Sequence, residues 1–253
     1  EPPVGWTPAT GAIAYAHRKL ANGEVFFLAN TGNTPWRGRL RFRAAAQPAL
    51  AWDLLSGEKH EFRGEIEIPA YGSLVLLSGG PASPAPPRKL PVRELDLSTG
   101  WDVTFLETGR KARYERLRSW TEDEETRFYS GVAAYEKTIQ VDPASLRAWL
   151  EFGPVKPLEP AAQRQPGMRA WVDAPVRDAA VVYVNKRRAG SVFTPPYRID
   201  LSGFLQPGEN RLRIEVANTN LNLLAKLGEP DYRVLAAAYG ERFQMQDMRN
   251  LQP

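Results

Sequence analysis

Four consecutive acids, Glu122, Asp123, Glu124 and Glu125, follow Trp120 in the stretch SWTEDEETRFYSGVAAYEKT, residues 119–138. Carboxylates in such a run have three chemical uses. A glycosidase needs two of them facing each other across a bond, roughly 5 to 9.5 Å apart. A calcium site needs several oxygens converging from a loop. A hydrated loop needs neither. Neighbouring acids on a strand point to opposite faces, and on a loop they repel one another and stay in water. The run therefore supplies no facing pair, and nothing else in the sequence marks a partner acid. The expectation is a hydrated loop leading into a strand, with no catalytic residue in the chain. Glu122, Asp123 and Glu125 are the candidate ligands for a structural Ca2+, and no cofactor is required.

Composition removes other chemistries. The chain has no cysteine, so thiol nucleophiles, disulfides and cysteine metal sites are absent. Its two histidines, His17 and His60, cannot make a three-histidine centre. A Gly-x-Ser-x-Gly elbow is missing, which argues against serine hydrolase chemistry. His17 reads as a hydrogen-bonded structural residue.

Carbohydrate recognition needs exposed rings and polar side chains. Of the seven tryptophans, Trp120 beside the polar loop is the stacking candidate, with Arg127 in the same loop. Trp149 and Trp171 lie in alternating strands and read as core. Asn218, Asn220 and Asn222 in ANTNLN would share one face if the strand continued through them. Their amides suit sugar hydroxyls but equally close turns, and the turn reading is the stronger.

The elements that must position these residues are strands. Gly79–Pro91, GGPASPAPPRKLP, is too rich in proline for a helix or an inner strand. It reads as a semi-rigid linker. The expected organisation is a small β-sandwich over 1–80, a proline-rich linker over 81–93 and a second β-domain over 94–253. In the first part, AIAYAHRKL and EVFFLAN flank a hairpin signal at Ala21-Asn22-Gly23. RGRLRFRAA alternates, with Leu40 and Phe42 on one face and Arg39, Arg41 and Arg43 on the other. A turn is expected at Ser56-Gly57. In the second part, WDVTFLE alternates, VNKRRAG reads as a hairpin, and a Pro-Gly-Glu-Asn turn precedes RLRIEVAN. Tyr129, Gly131, Ala133 and Tyr135 are expected on the buried face of a long strand, since two aromatic rings bury the larger area.

Charge argues against nucleic acid. Residues 1–80 carry 8 basic and 7 acidic side chains, 81–93 carry 3 basic and none acidic, and 94–253 carry 22 of each. The excess sits in one short segment, whereas a phosphate-tracking surface needs a concentrated basic face. No run approaches the ~20 apolar residues that span a bilayer, so no membrane partner is expected. Glu1 in place of Met reads as the start of a processed or excised chain.

The motifs of the second part resemble those of the galactose-binding-like jelly roll attached to many glycoside hydrolases. They are Tyr129-Ser130-Gly131 with Tyr135; Leu150, Gly153 and Val155; Val182, Val184, Asn185 and Gly190; Pro196, Tyr197 and Asp200; and Leu205, Gly208, Asn210, Leu212, Ile214, Val216 and Asn218. YAHRKLANGEVFFLANTG and PALAWDLLSGE resemble the all-β segment that follows the catalytic domain in family 106 glycoside hydrolases, the α-L-rhamnosidases and relatives. The ending MRNLQP is also similar to theirs. The resemblance implies an all-β fold, a small β-sandwich followed by a galactose-binding-like jelly-roll β-sandwich. It also implies a non-catalytic C-terminal region that braces a catalytic glycosidase domain in cis and contacts carbohydrate, in a periplasmic or extracellular bacterial enzyme. The family's catalytic domain precedes these modules and is absent here, so its carboxylates carry over to no position of this chain. A freestanding carbohydrate-binding module is the alternative.

Overall fold

The computed structural model describes residues 4–42, 50–52, 54, 57, 59–78, 93–159, 170–227 and 233–240. Strands dominate them, as the period-2 patterns require, and the fold is all-β with sandwich-like packing.

The N-terminal strands are β1 (Val4–Thr7), β2 (Ile13–Leu20), β3 (Gly23–Asn30), β4 (Trp36–Phe42), β5 (Leu50–Trp52), β6 (Lys59–Glu61), β7 (Glu65–Ile68) and β8 (Ser73–Leu77). They form a three-stranded sheet, β1-β4-β7, and a five-stranded sheet, β2-β3-β8-β5-β6. Every pairing is antiparallel. Leu20 pairs with Gly23 across the Ala21-Asn22 turn, as the hairpin signal requires. Leu40 is buried and Phe42 packs on the core, while Arg39 turns outward to Glu65. Arg43, Ser56 and the Gly79–Pro91 segment lie outside the described residues. One hydrophobic cluster joins the two sheets: Val4, Trp36, Leu40 and Ile68 from one, Ile13, Phe26, Leu28 and Leu76 from the other. His17 is held as expected, with its Nε2 2.5 Å from Glu24 Oε2 and its ring stacked on Phe26.

The remaining strands are β9 (Thr99–Phe105), β10 (Arg110–Arg116), β11 (Val132–Val141), β12 (Trp149–Glu151), β13 (Lys156–Pro157), β14 (Val172–Asp173), β15 (Ala179–Val184), β16 (Arg187–Val192), β17 (Arg198–Asp200) and β18 (Gly208–Ala217). Six make one antiparallel sheet, β10-β9-β11-β18-β15-β16, and β12-β17 and β13-β14 are two-stranded ribbons. Alternation buries Trp101, Val103 and Phe105 on β9, and Val182 and Val184 on β15. They join Leu150 of β12 and Ile199 of β17 in a second cluster. The VNKRRAG hairpin forms as read: Asn185 and Lys186 take φ of 50° and 69°, the left-handed pair that a two-residue turn between twisted strands demands.

Three expectations need correction. The long strand starts at Val132, not Tyr129, because Tyr129 and Ser130 belong to the preceding loop and Gly131 turns the chain with φ +148°. Beyond Ala217 the chain leaves the sheet and forms a helix, α1 (Leu221–Leu227), so Asn218, Asn220 and Asn222 share no strand face. A second short helix, α2 (Arg233–Tyr239), follows. Trp149 is also not core: it is 43% exposed.

Two hydrogen bonds join the β13-β14 ribbon to the N-terminal sandwich. Asn33 Nδ2 donates to Leu158 O at 2.9 Å, and Trp171 N donates to the Tyr71 hydroxyl at 2.9 Å.

Candidate functional site

The acid run folds as a capped turn. Trp120–Glu122 is a single 3-10 turn. Ser119 Oγ accepts from Thr121 N at 3.3 Å, and the Glu122 carboxylate accepts from Ser119 N at 3.1 Å. This is a capping box, which satisfies donors that the helix start leaves open. Asp123 Oδ1 accepts from Glu125 N at 3.0 Å. Asp123 Oδ2 lies 3.3 Å from Arg110 Nη2 and 3.5 Å from Arg118 Nη2. Glu125 also meets Arg110, through Nη1. The acids thus pin their loop to β10 rather than facing each other across a cleft. Among the described residues, no three acidic or imidazole side chains gather as a metal-binding group. Glu122 and Glu124 are exposed as expected, but the Asp123 side chain is only 19% exposed. A half-buried carboxylate needs ionic or hydrogen-bonding partners to offset its lost hydration, and reading the run as uniformly hydrated missed this.

Trp120 is not a stacking platform. Its ring is 8% exposed and packs edge-on against Phe105 and Tyr129. Its indole nitrogen donates to the Tyr135 hydroxyl at 2.6 Å. Burial pushes the Tyr135 phenol up to about 12, although the bond from Trp120 works the other way. The tyrosine face of β11 is the core face, as anticipated: Ala133 and Tyr135 are buried, and Tyr129 packs on the same cluster. The polar loop misled because the indole follows the turn inward while Glu122, Glu124 and Glu125 after it turn out. Arg127 is exposed, two residues beyond the acids.

Asn218 closes a turn. Its Oδ1 accepts from Gly131 N and its Nδ2 donates to Tyr129 O, both at 2.9 Å. Asn220 is exposed, and its carbonyl accepts from Leu224 N at the start of α1. Asn222 is half-buried within α1. Trp120, Arg127 and the three asparagines therefore form no single sugar-facing surface. The other motif residues also serve the scaffold. Asn185 Nδ2 donates to Asn210 Oδ1 at 2.9 Å, and Asn210 also accepts from Gln206 N, tying two turns together. Glu107, which the sequence reading passed over, accepts from Val132 N and from the Tyr129 hydroxyl. It lies two residues beyond the end of β9, where no pattern reports a side chain's partner.

Among the described residues of this half, two aromatic rings are exposed, Phe193 after β16 and Trp149 on β12, and Trp149 is the indole. Arg198, on the paired strand β17, places its guanidinium 4.7 Å from the ring centroid. Glu151, exposed, lies directly across from Arg198. Period-2 alternation did mark Trp149 as opposite in face to the buried Leu150, but not which face was the core.

No family model matches the chain. A putative beta-glucuronidase from Formosa agariphila is 30% identical over 131 residues, covering 48% of this chain and 10% of that protein. The solved rhamnosidase from Novosphingobium sp. PP1Y superimposes on 92% of this chain and 22% of its own, with TM-score 0.67 and 21% identity. A solved beta-D-glucuronidase from Dictyoglomus thermophilum matches 49% of this chain and 19% of its own, with TM-score 0.34 and 20% identity. The structural neighbours of this chain are glycoside hydrolases. The likeness to the rhamnosidase covers nearly the whole chain and shows the fold. The chain spans about a tenth of the curated relative's length and about a fifth of the solved rhamnosidase's.

Proposed function

We propose that this chain is a non-catalytic accessory region of an α-L-rhamnosidase-like glycoside hydrolase. Its second half would be a galactose-binding-like jelly roll, and both halves would brace a catalytic domain in the same polypeptide. One observation carries the reading: a rhamnosidase devotes 22% of its length to a fold that matches 92% of this chain. The chemistry of the described residues supports it. A retaining or inverting glycosidase needs one proton-donating acid and one free carboxylate opposed across a bond, whereas Glu122, Asp123 and Glu125 are committed to a cap and to arginines. The purified chain should not turn over aryl α-L-rhamnosides or aryl glucuronides. Turnover that one carboxylate substitution abolishes would overturn the reading.

A second reading, a freestanding carbohydrate-binding module, is favoured by Trp149. Exposed indole rings stack on the apolar face of a pyranose, and Arg198 and Glu151 beside it offer donors and acceptors for hydroxyls. Titration with rhamnose-containing oligosaccharides, followed by tryptophan fluorescence, tests it. Saturable quenching that Trp149→Ala removes would support binding at this face, and a flat titration would exclude it for those sugars.

A further inference from the structure

The β13-β14 ribbon ends in a pair that should close on itself. Pairing sets Lys156 against Asp173 and Pro157 against Val172. Proline has no N–H to give, which suits a position where facing residues exchange no bonds. The next pair, Leu158 and Trp171, then falls where each residue both donates and accepts. Leu158 N does donate to Trp171 O, at 2.9 Å. The return bond is intercepted. Trp171 N donates instead to the Tyr71 hydroxyl, and Leu158 O accepts from Asn33 Nδ2, each at 2.9 Å. Two side chains of the N-terminal sandwich thus stand in for one ladder bond. They grip the backbone of the ribbon rather than its side chains.

Both side chains are built into place. Asn30 is 2% exposed. Its Nδ2 donates to Thr34 O at 2.8 Å and Pro69 O at 3.1 Å, and its Oδ1 accepts from Gly32 N at 2.9 Å. Tyr71 N donates to Gly32 O at 3.1 Å. One buried amide therefore fastens the 31–34 loop, which carries Asn33, to the 69–72 turn, which carries Tyr71. Tyr71 itself takes φ +52°, a conformation that a residue with a Cβ keeps only where its surroundings impose it. The hydrophobic clusters of the two halves share no residue, so no common core sets the angle between them, and domains without a large apolar interface move relative to each other by default. We propose that Asn33 and Tyr71 are an orientation lock, holding the two halves at one angle by capping the Leu158–Trp171 pair. Two bonds suffice because tethering in one polypeptide supplies a high effective concentration. On release, Trp171 N and Leu158 O can bond each other, so opening orphans neither backbone group and unfolds neither half. The lock lies wholly within this chain and requires no catalytic domain, and a brace of the proposed kind needs such a fixed angle.

The chain has no cysteine. Ala16→Cys on β2 and Thr138→Cys on β11, both exposed positions, therefore place one spin label on each half. Distance measurement between the two labels should give one dominant distance. Asn33→Asp with Tyr71→Phe keeps both shapes but removes the amide donor and the hydroxyl acceptor. In that variant the ratio of docked to released molecules should fall about tenfold, the worth of one or two net hydrogen bonds, and appear as a second or broadened distance. The circular dichroism and melting of each half should not change, which separates lost orientation from lost fold. An unchanged distance distribution in the variant overturns the proposal, and so does a native chain whose distribution is already broad. If the double variant loses strand signal, Asn33→Asp and Tyr71→Phe are measured singly: broadening in either folded variant supports the lock, and a native-like distribution in both overturns it.

Discussion

The Trp120 indole nitrogen and the Tyr135 hydroxyl, 2.6 Å apart in the core, tie the acid loop to the centre of the six-stranded sheet. Tyr135 lies on β11 between β9 and β18, so the loop is fastened to a strand paired on both sides. Removing the hydroxyl leaves a buried indole N–H without its acceptor. Tyr135→Phe should cost about 1–3 kcal/mol, the usual penalty for an orphaned buried donor. In a double-mutant cycle with Trp120→Phe, the two losses should sum to more than the loss of the double variant. Denaturant melts measure all three, and strict additivity would show that the bond contributes nothing.

The same burial gives a pH signature. Tyr135 is held up at about 12, against 10.0 ordinarily, because burial penalises the phenolate. Between those values the folded state retains a proton that the unfolded state has lost, so stability falls as pH rises. Its contribution is complete below pH 10 and is lost as pH climbs toward about 12. Urea melts over that range should show the decline, and Tyr135→Phe should flatten part of it.

The acid run should respond unevenly to substitution. Glu124→Gln, on the exposed side of the loop, should stay within about 0.5 kcal/mol, as surface changes do. Asp123→Asn should cost more, about 1–2 kcal/mol, because it weakens a half-buried partnership with Arg110 and Arg118. A calcium site would behave differently: chelator would lower the melting temperature of the native chain and leave the quadruple glutamine variant unmoved. The arginine partnerships predict no chelator effect on either.

Gly131 should tolerate no side chain. Its φ of +148° disfavours L-residues, and a Cβ there would sit 2.3 Å from the Glu107 carboxylate carbon. That carboxylate cannot swing away freely, since it holds Tyr129 and Val132 N. Gly131→Ala should cost about 1–3 kcal/mol. Thermal melts of Gly131→Ala and of Gly131→Ala with Glu107→Gly should show only partial recovery, because the backbone strain remains.

The two hydrophobic clusters share no residue, and two folding units separable between Gly80 and Pro91 are expected. Limited proteolysis should leave a folded fragment starting near Leu90. Loss of all strand signal after that cut would mean a single cooperative unit. Tyr71→Phe, which removes the hydroxyl that Trp171 N meets, should leave each unit's melting unchanged.

Local chemistry was enough to determine most of the strands, their hairpin turns and the class of fold, but not where β11 begins or the helix that follows β18. Alternation on β4 and β9, the Ala21-Asn22 and Asn185-Lys186 turns and the tyrosine face of β11 depend on neighbours in sequence, and period 2 transmits each choice along a strand. The fate of particular side chains depended on partners far along the chain. Trp120 became core because Tyr135 and Phe105 arrive from other strands. Trp149 became surface because β12, paired with β17, turns Leu150 inward to the core. Asp123 found Arg110 at the far end of β10, thirteen residues back along the chain. Asn218 closed a turn on Tyr129 and Gly131 because β18 ends where β11 begins. Periodicity says which residues share a face, but burial is a property of what stands opposite.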